Sequence, residues 1–444
     1  MKQGYLFVSK GDLETEKQQL IEEGRDISSV EAEFAALLGL DIDNKPELQD
    51  RIFDLFDRTI RLPVKQGYPY VEPSDLDGIR MARPAGPGKL KVPSDDRRLF
   101  DRVHGAWLGR CAGCLLGKPV EGWRTPKLWG FLKDTGNFPL KNYLRCDVDE
   151  SVLKKYEVKP EGAFINKVKN MVEDDDTNYT VTGLAVMKKY GVDFKPLDVA
   201  NFWLENISIL HTYTAERIAY RNFIRLIPPP ASASFRNPYR EWIGAQIRAD
   251  FFGYAAPGNP GLAAEFAWRD ACISHVKNGV YGEMWVAAML AAAAVMDDVR
   301  EVMITGLSEI PAKSRLAEAL GDVLKWKDEG ADSDEASRRI HKRWDEKKGH
   351  DWCHTISNAQ IVALGLLWGE KNFEKSICSA VQAGFDTDCN GATVGSVVGM
   401  MLGARRLPAK WIRPLHDTLE TGIQGFSKVR ISAIAKEGFA LRVK

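Results

Sequence analysis

The sequence predicts an all-α protein, and three observations carry that prediction. Alanine-rich stretches such as "SSVEAEFAALLGL", "GNPGLAAEFAWRDACISHV" and "NAQIVALGLLWGE" repeat their apolar residues at helical period. Sustained alternation of apolar and polar residues is hard to find. Glycines recur every four residues twice: at 105, 109, 113 and 117 in "GAWLGRCAGCLLG", and at 391, 395, 399 and 403 in "GATVGSVVGMMLGA". Positions i and i+4 share one helix face. A glycine inside a helix costs about 1 kcal/mol relative to alanine, so a stripe of four needs compensation. Close backbone approach by a neighbouring helix supplies it. The stripes therefore predict two buried helices over 100–117 and 389–404 that cross tightly, with each other as candidate partners.

The remaining elements follow in order. Residues 1–100 read as a separate piece of two or three charged helices. It ends in "RPAGPGKLKVPSDD" (83–96), a linker or a loop laid over the surface. The expected division is a helical extension over 1–100, packed on a catalytic domain over 101–444. "RLIPPPASASFRNPY" (225–239) carries three consecutive prolines, which exclude helix there and predict a long loop. "MWVAAMLAAAAVM" (284–296) is too short to cross a bilayer and reads as a core helix. "DEGADSDEASRR" predicts an exposed turn and a helix start capped by Ser333 or Asp334.

Composition narrows the functional classes. The 444 residues hold 61 basic and 61 acidic side chains, a formal net charge of zero. Such a chain has no global field for nucleic acid and little attraction for an anionic membrane. The start, "MKQGYLFVSKGDLETEKQQLIEE", turns charged too early for a signal peptide. Seven scattered cysteines suit a reduced, cytoplasmic protein better than a disulfide scaffold.

Two acidic clusters stand before apolar helices. One is "EDDDT", with Glu173, Asp174, Asp175, Asp176 and Thr177; the other is "DTD", with Asp386 and Asp388. A single aspartate caps a helix and complements its dipole. Three in a row repel one another, and a hard cation that takes oxygen ligands relieves that repulsion. Glu121, in the Lys-Pro-x-Glu turn after the first glycine stripe, faces the aspartates if the glycine helices cross.

"GAWLGRCAGCLLGKPVE" (105–121), "DDDTNY" (174–179) and "GFDTDCNGATVGSVVGMMLGA" (384–404) together resemble the ADP-ribosylglycohydrolase family in order and spacing. The resemblance covers roughly 101–444. It implies an all-α fold with two Mg²⁺ ions in a central cleft, with Mn²⁺ or Ca²⁺ as substitutes. The ions would grip the distal ribose of an ADP-ribosyl group, either a small molecule or an ADP-ribosylated substrate, and position water for hydrolysis. Carried over by position, Asp174, Asp175, Asp176, Asp386 and Asp388 are the expected metal ligands. Glu121, Asp175 and Asp388 are the expected catalytic carboxylates, with Glu121 favoured as the proton handler.

Four departures stand out. Asp174 falls where the family usually has a hydroxyl ligand, and Cys389 where it has a ligating threonine. Cys114 replaces a Gly-Asp pattern, and the first hundred residues have no counterpart in simpler members. A thiol is a poor Mg²⁺ ligand, so Cys389 is expected to stay protonated and outside the coordination sphere. The departures imply a divergent branch whose substrate need not be an ADP-ribosylated protein. A metal-dependent glycosidase of a small nucleoside or sugar conjugate is one alternative, and a non-catalytic ADP-ribose or nucleotide sensor is another.

Other residues carry two readings each. Cys111 and Cys114 have redox or zinc spacing but lack the context, and read as packing residues. His275 is a buried interior histidine or, by resemblance, a substrate contact. His354 reads as a cap or packing residue. "NPYREWIGAQIRADFFGYAAPGNPG" (237–261) is an irregular elbow or a ligand wall. As a wall it would offer Arg240 or Arg248 to phosphate and Gly258 and Asn259 to a diphosphate. Tyr179 covers the cleft or packs.

Overall fold

The computed structural model describes residues 7–443 and is built almost wholly of helices. Among the described residues the one sheet is a short hairpin, Thr418–Glu420 paired antiparallel with Lys428–Arg430. No described helix is long and apolar enough to cross a membrane.

The centre is the pair of glycine helices, Asp96–Gly117 and Thr387–Leu402. They run antiparallel, with Gly105 against Gly399, Gly109 against Gly395, Gly113 against Gly391, and Gly117 against Thr387. A Cβ at any of these glycines would fall under 3.0 Å from a carbonyl oxygen of the opposite helix. Only glycine lets the two backbones touch. The helices begin and end where the sequence requires. Asp95 caps the first with its carboxylate on the Arg97 and Arg98 amides, and Pro119 follows two residues after its end. Gly403, at φ +80°, ends the second.

Buried helices surround this pair. Lys277–Ala293 contains most of the long apolar run and is covered on all sides after its first residue. Thr355–Gly369 is equally buried. The hairpin has a positioning role. Met171 donates to the Thr418 carbonyl and accepts from the Glu420 amide, and Asn178 accepts from the Gly422 amide. The first acidic cluster is thus held on both sides.

Packing divides the chain earlier than residue 100. Apolar residues from Val8 to Leu62 form their own small cluster, whereas Ile79 and Leu99 belong to the main core. The linker is therefore laid against the core, with the Leu90 amide bonded to the Gly258 carbonyl. The triproline loop contains one short helix, Ala231–Ser234, after the prolines. The cap of Ser333–Arg343 is Asp332, one residue before the expected Ser333 or Asp334.

The crossing generates a pair of opposite expectations. Gly113→Ala should lower stability by about 2 kcal/mol or more, the scale of overpacking, because its Cβ meets the Gly391 backbone. Gly321→Ala, in a helix with no atom near its Cβ, should raise stability by about 1 kcal/mol. Urea unfolding of both variants measures the contrast; equal effects would disprove backbone contact as the reason for the stripe.

Candidate active site

The antiparallel crossing brings the C-terminal end of the first glycine helix to the N-terminal end of the second. Thr387, the middle residue of "DTD", donates its hydroxyl to the Gly117 carbonyl at 2.9 Å. The Lys118–Val120 turn then carries Glu121 towards Asp388. The first acidic cluster enters from the side at the start of helix Asp175–Tyr190. Both clusters and Glu121 therefore meet, as the sequence suggested.

The aspartates differ in role. Asp174 is the helix cap, accepting from the Asp176 amide at 2.8 Å, and its other oxygen takes Lys118 Nζ at 2.5 Å. Both of its oxygens are engaged. Asp176 gives one oxygen to Arg110 at 3.1 Å, and Asp175 is half-buried at the edge. Glu173 turns away to His211 at 2.5 Å. Asp176 Oδ2, Asp386 Oδ1 and Asp388 Oδ1 are buried with no hydrogen-bond partner. Orphaned buried oxygens are costly. Three of them converging from two helix starts form an oxygen donor set of the kind a hard divalent cation takes.

Electrostatics mark the same place. The Asp388 carboxylate beside it is the main reason the Glu121 carboxyl is held well above its ordinary range; Glu121 itself still reaches solvent. Burial, then the carboxylates of Asp174 and Asp388, does the same to Asp175. Burial and the Asp174 charge push Asp388 up to about 6. Lys118 and Arg110 oppose this crowding, and both come from the first glycine helix or its turn. Arg110 is fully buried and also binds Asp250 at 2.8 Å and the Ile247 carbonyl at 2.6 Å.

Three residues of this group carry no sequence signal of their own. Arg110 is a lone charge in an apolar stripe. Lys118 looks like a surface lysine. Tyr213, half exposed, lies within electrostatic reach of Asp175, Glu121 and Asp174. Cys114 packs in the core as expected but also joins the acids. Its sulfur falls in one group with carboxylate oxygens of Asp174, Asp176 and Asp388, all within 4.8 Å of one another, while Cys111 packs as expected. Burial raises both the Cys114 and Cys389 thiols well above their ordinary range, so each stays protonated.

The expected substrate contacts fare differently. Tyr179 is buried against Trp203, ring centroids 5.4 Å apart, so it packs. His275 is buried, with Nδ1 2.8 Å from the Ser274 hydroxyl and the Arg248 charge nearby. Asn259 caps helix Pro260–Ala271 beside the linker and is not brought to the acids. Arg240 is paired with Glu16 and Glu23, and Arg248 with Glu216 and Asp270. Neither arginine is available to a phosphate. A cavity of about 440 Å³ lies against Arg240 and Lys277, where the N-terminal helices dock, and none of the acid group lines it.

The family model of ADP-ribosylglycohydrolases matches residues 95–441. The chain belongs to the ADP-ribosylglycohydrolase family. Members are metal-dependent glycohydrolases of ADP-ribosyl-type substrates. A solved structure titled "ADP-ribosylglycohydrolase-related protein complex" is 19% identical, with a TM-score of 0.48, covering 78% of this chain and 98% of its own. No curated protein matches the chain. The family match begins at the first glycine helix, so the residues before 95 lie outside it.

The raised carboxyl of Asp388 fixes a sign. A carboxyl with its folded pKa near 6 against an ordinary 3.8 stabilises the fold fully below pH 3.8. That contribution is lost as pH rises through 6. In a chelator, the melting temperature should therefore fall between about pH 4 and pH 7 by more in the wild type than in Asp388→Asn. Thermal scans across that range test it, and parallel curves would count against the assignment.

Proposed function

We propose that this chain is a Mg²⁺-dependent hydrolase that cleaves an N- or O-glycosidic bond of an ADP-ribosyl or related ribosyl conjugate. One observation carries the reading: unpartnered carboxylate oxygens from two helix starts converge beside a solvent-reaching glutamate of raised pKa. Asp176, Asp386 and Asp388 would hold the cation. Mg²⁺ would supply Lewis acidity and orient vicinal ribose hydroxyls.

The chain's own groups do the rest. Glu121 keeps a proton to higher pH than an ordinary glutamate, which suits a group that exchanges protons with water. The surrounding carboxylates favour the positive charge of an oxocarbenium-like transition state. Lys118 holds Asp174 in its capping position, which keeps the start of helix Asp175–Tyr190 fixed. The two thiols stay protonated and leave the hard-oxygen donor set intact.

A second reading concerns the substrate. Arg240 and Arg248, the two arginines in the elbow best suited to a diphosphate, are closed off in buried ion pairs. That favours a smaller ribosyl or nucleoside conjugate over a full ADP-ribosyl group.

Release of free ADP-ribose from ADP-ribosyl-arginine and ADP-ribosyl-serine, with Mg²⁺ and with EDTA, tests the proposal. Turnover should stop in EDTA and in Asp388→Asn. Glu121→Gln should lower kcat by about 10²–10⁴-fold while Mg²⁺ binding persists. Mg²⁺ stabilisation without release would move the substrate to the smaller conjugates. Neither release nor a Mg²⁺ effect would leave a non-catalytic sensor.

A further inference from the structure

We propose that Asn358 is a positioning residue for the cation ligand Asp386, and that the N-terminal extension braces it through Glu22. The proposal rests on Asp386 binding a cation, as inferred above. Asn358 lies in the first turn of helix Thr355–Gly369 and is fully buried. Its Oδ1 accepts from the Asp386 amide at 3.1 Å and from Asn390 Nδ2 at 2.8 Å. Its Nδ2 donates to the carbonyls of Trp352 at 2.9 Å and His354 at 3.0 Å. All four hydrogen-bonding positions of the amide are filled. A flipped amide would set donor against donor and acceptor against acceptor, so the orientation is fixed.

The Asp386 backbone needs such a hold. Gly384 and Phe385, immediately before it, both have positive φ, +83° and +58°. That conformation is uncommon for a bulky aromatic residue and persists only when its surroundings enforce it. Asn358 enforces it from behind, and Thr387 anchors the other side through Gly117.

The carbonyls that hold Asn358 belong to the segment 350–354, and Glu22 bonds one end of that segment and lies close to the other. Glu22 Oε2 lies 3.1 Å from His350 Nε2 and 3.5 Å from His354 Nε2. The tautomers follow from the other nitrogens. Trp242 Nε1–H, which can only donate, points at His350 Nδ1 at 3.1 Å. The Ile356 amide donates to His354 Nδ1 at 3.1 Å. Both imidazoles therefore carry hydrogen on Nε2; His350 hydrogen-bonds the carboxylate, and His354 Nε2 stands 3.5 Å from it without a hydrogen bond. A metal ion on this trio would need those Nε2 lone pairs, so the trio is a clamp of one hydrogen bond and one close polar contact. The His350 hydrogen bond is the largest influence keeping the Glu22 carboxyl below its ordinary range despite burial. Glu22 ends helix Lys10–Glu22 of the extension, which precedes the family match. The segment before the family match thus reaches the candidate site through one carboxylate, two imidazoles and one amide.

The test compares wild type with Asn358→Ala, Glu22→Ala and the double variant, by Mg²⁺ calorimetry and by hydrogen exchange of segment 384–390. Val323→Ala, a buried apolar truncation in helix Arg315–Asp328, controls for lost stability. Asn358→Ala should weaken Mg²⁺ binding by about 10–100-fold. Glu22→Ala should weaken it less, and the double variant should be no worse than Asn358→Ala alone. Exchange in 384–390 should rise in both single variants and not in Val323→Ala. Should Asn358→Ala not fold, Glu22→Ala decides. Should the wild type bind no Mg²⁺, the hydrolase reading fails, and exchange alone judges the brace. Exchange unchanged in 384–390, or Mg²⁺ affinity unchanged in the variants of a binding wild type, overturns it.

Discussion

Backbone contact between the two glycine helices is the constraint on which the rest of the structure depends. Each glycine weakens its own helix by about 1 kcal/mol, and dispersion between the touching backbones offsets that loss. The contact also fixes register. With Gly109 on Gly395 and Gly113 on Gly391, the helices cannot slide by one residue without driving a side chain into a carbonyl. A fixed register means a fixed meeting point at one end, where Gly117 meets Thr387. Glu121 and the two aspartates of "DTD" inherit their positions from it. Ligand sets tolerate displacements of only about 0.5 Å, so the acids are well served by standing at the end of a rigid pair.

The same end gathers more negative charge than the fold can neutralise from its own residues. Asp174, Asp175, Asp176, Asp386, Asp388 and Glu121 converge there, and Lys118 and Arg110 answer them. Arg110 is further shared with Asp250. Glu121, Asp175, Asp176, Asp386 and Asp388 respond by holding protons to higher pH, whereas Asp174, paired with Lys118, is shifted down. Crowding six acids at one point costs stability, which marks the place as a candidate functional site.

Periodicity and clustering were legible in the sequence because they are local. The glycine stripes, the two acidic helix starts and the Glu121 turn all depend on spacing within one segment, and each lies where it was expected. Pairings across the chain were not legible. Arg240 and Arg248 look like free cations beside aromatic residues; their partners Glu16, Glu23, Glu216 and Asp270 come from other segments. Tyr179 has the spacing of a cleft residue, yet Trp203 takes its ring into the core. Asn259 shares its role as a helix cap with any Asn-Pro, and nothing local tells the two uses apart. Arg110 and Cys114 are the reverse case. Each sits in an apolar stripe and gains meaning only from Asp176 and Asp174, more than fifty residues away.

The extension shows the same physics in its docking. Beside apolar contacts such as Ile79 in the main core, its docking includes buried ions: Glu16 and Glu23 on Arg240, Glu23 on Lys277, Glu72 on Arg315. Buried ion pairs add little net stability, because desolvation cancels much of the Coulomb gain. They are strict about geometry, however, since a displaced carboxylate leaves a buried cation unpaired. An apolar interface of the same size would hold the extension as firmly and let it shift. The ionic one fixes Glu22 on its two histidines, one helix turn from the asparagine that holds Asp386. Under the brace proposed above, the N-terminal segment would set the position of Asp386 more than it would stabilise the fold.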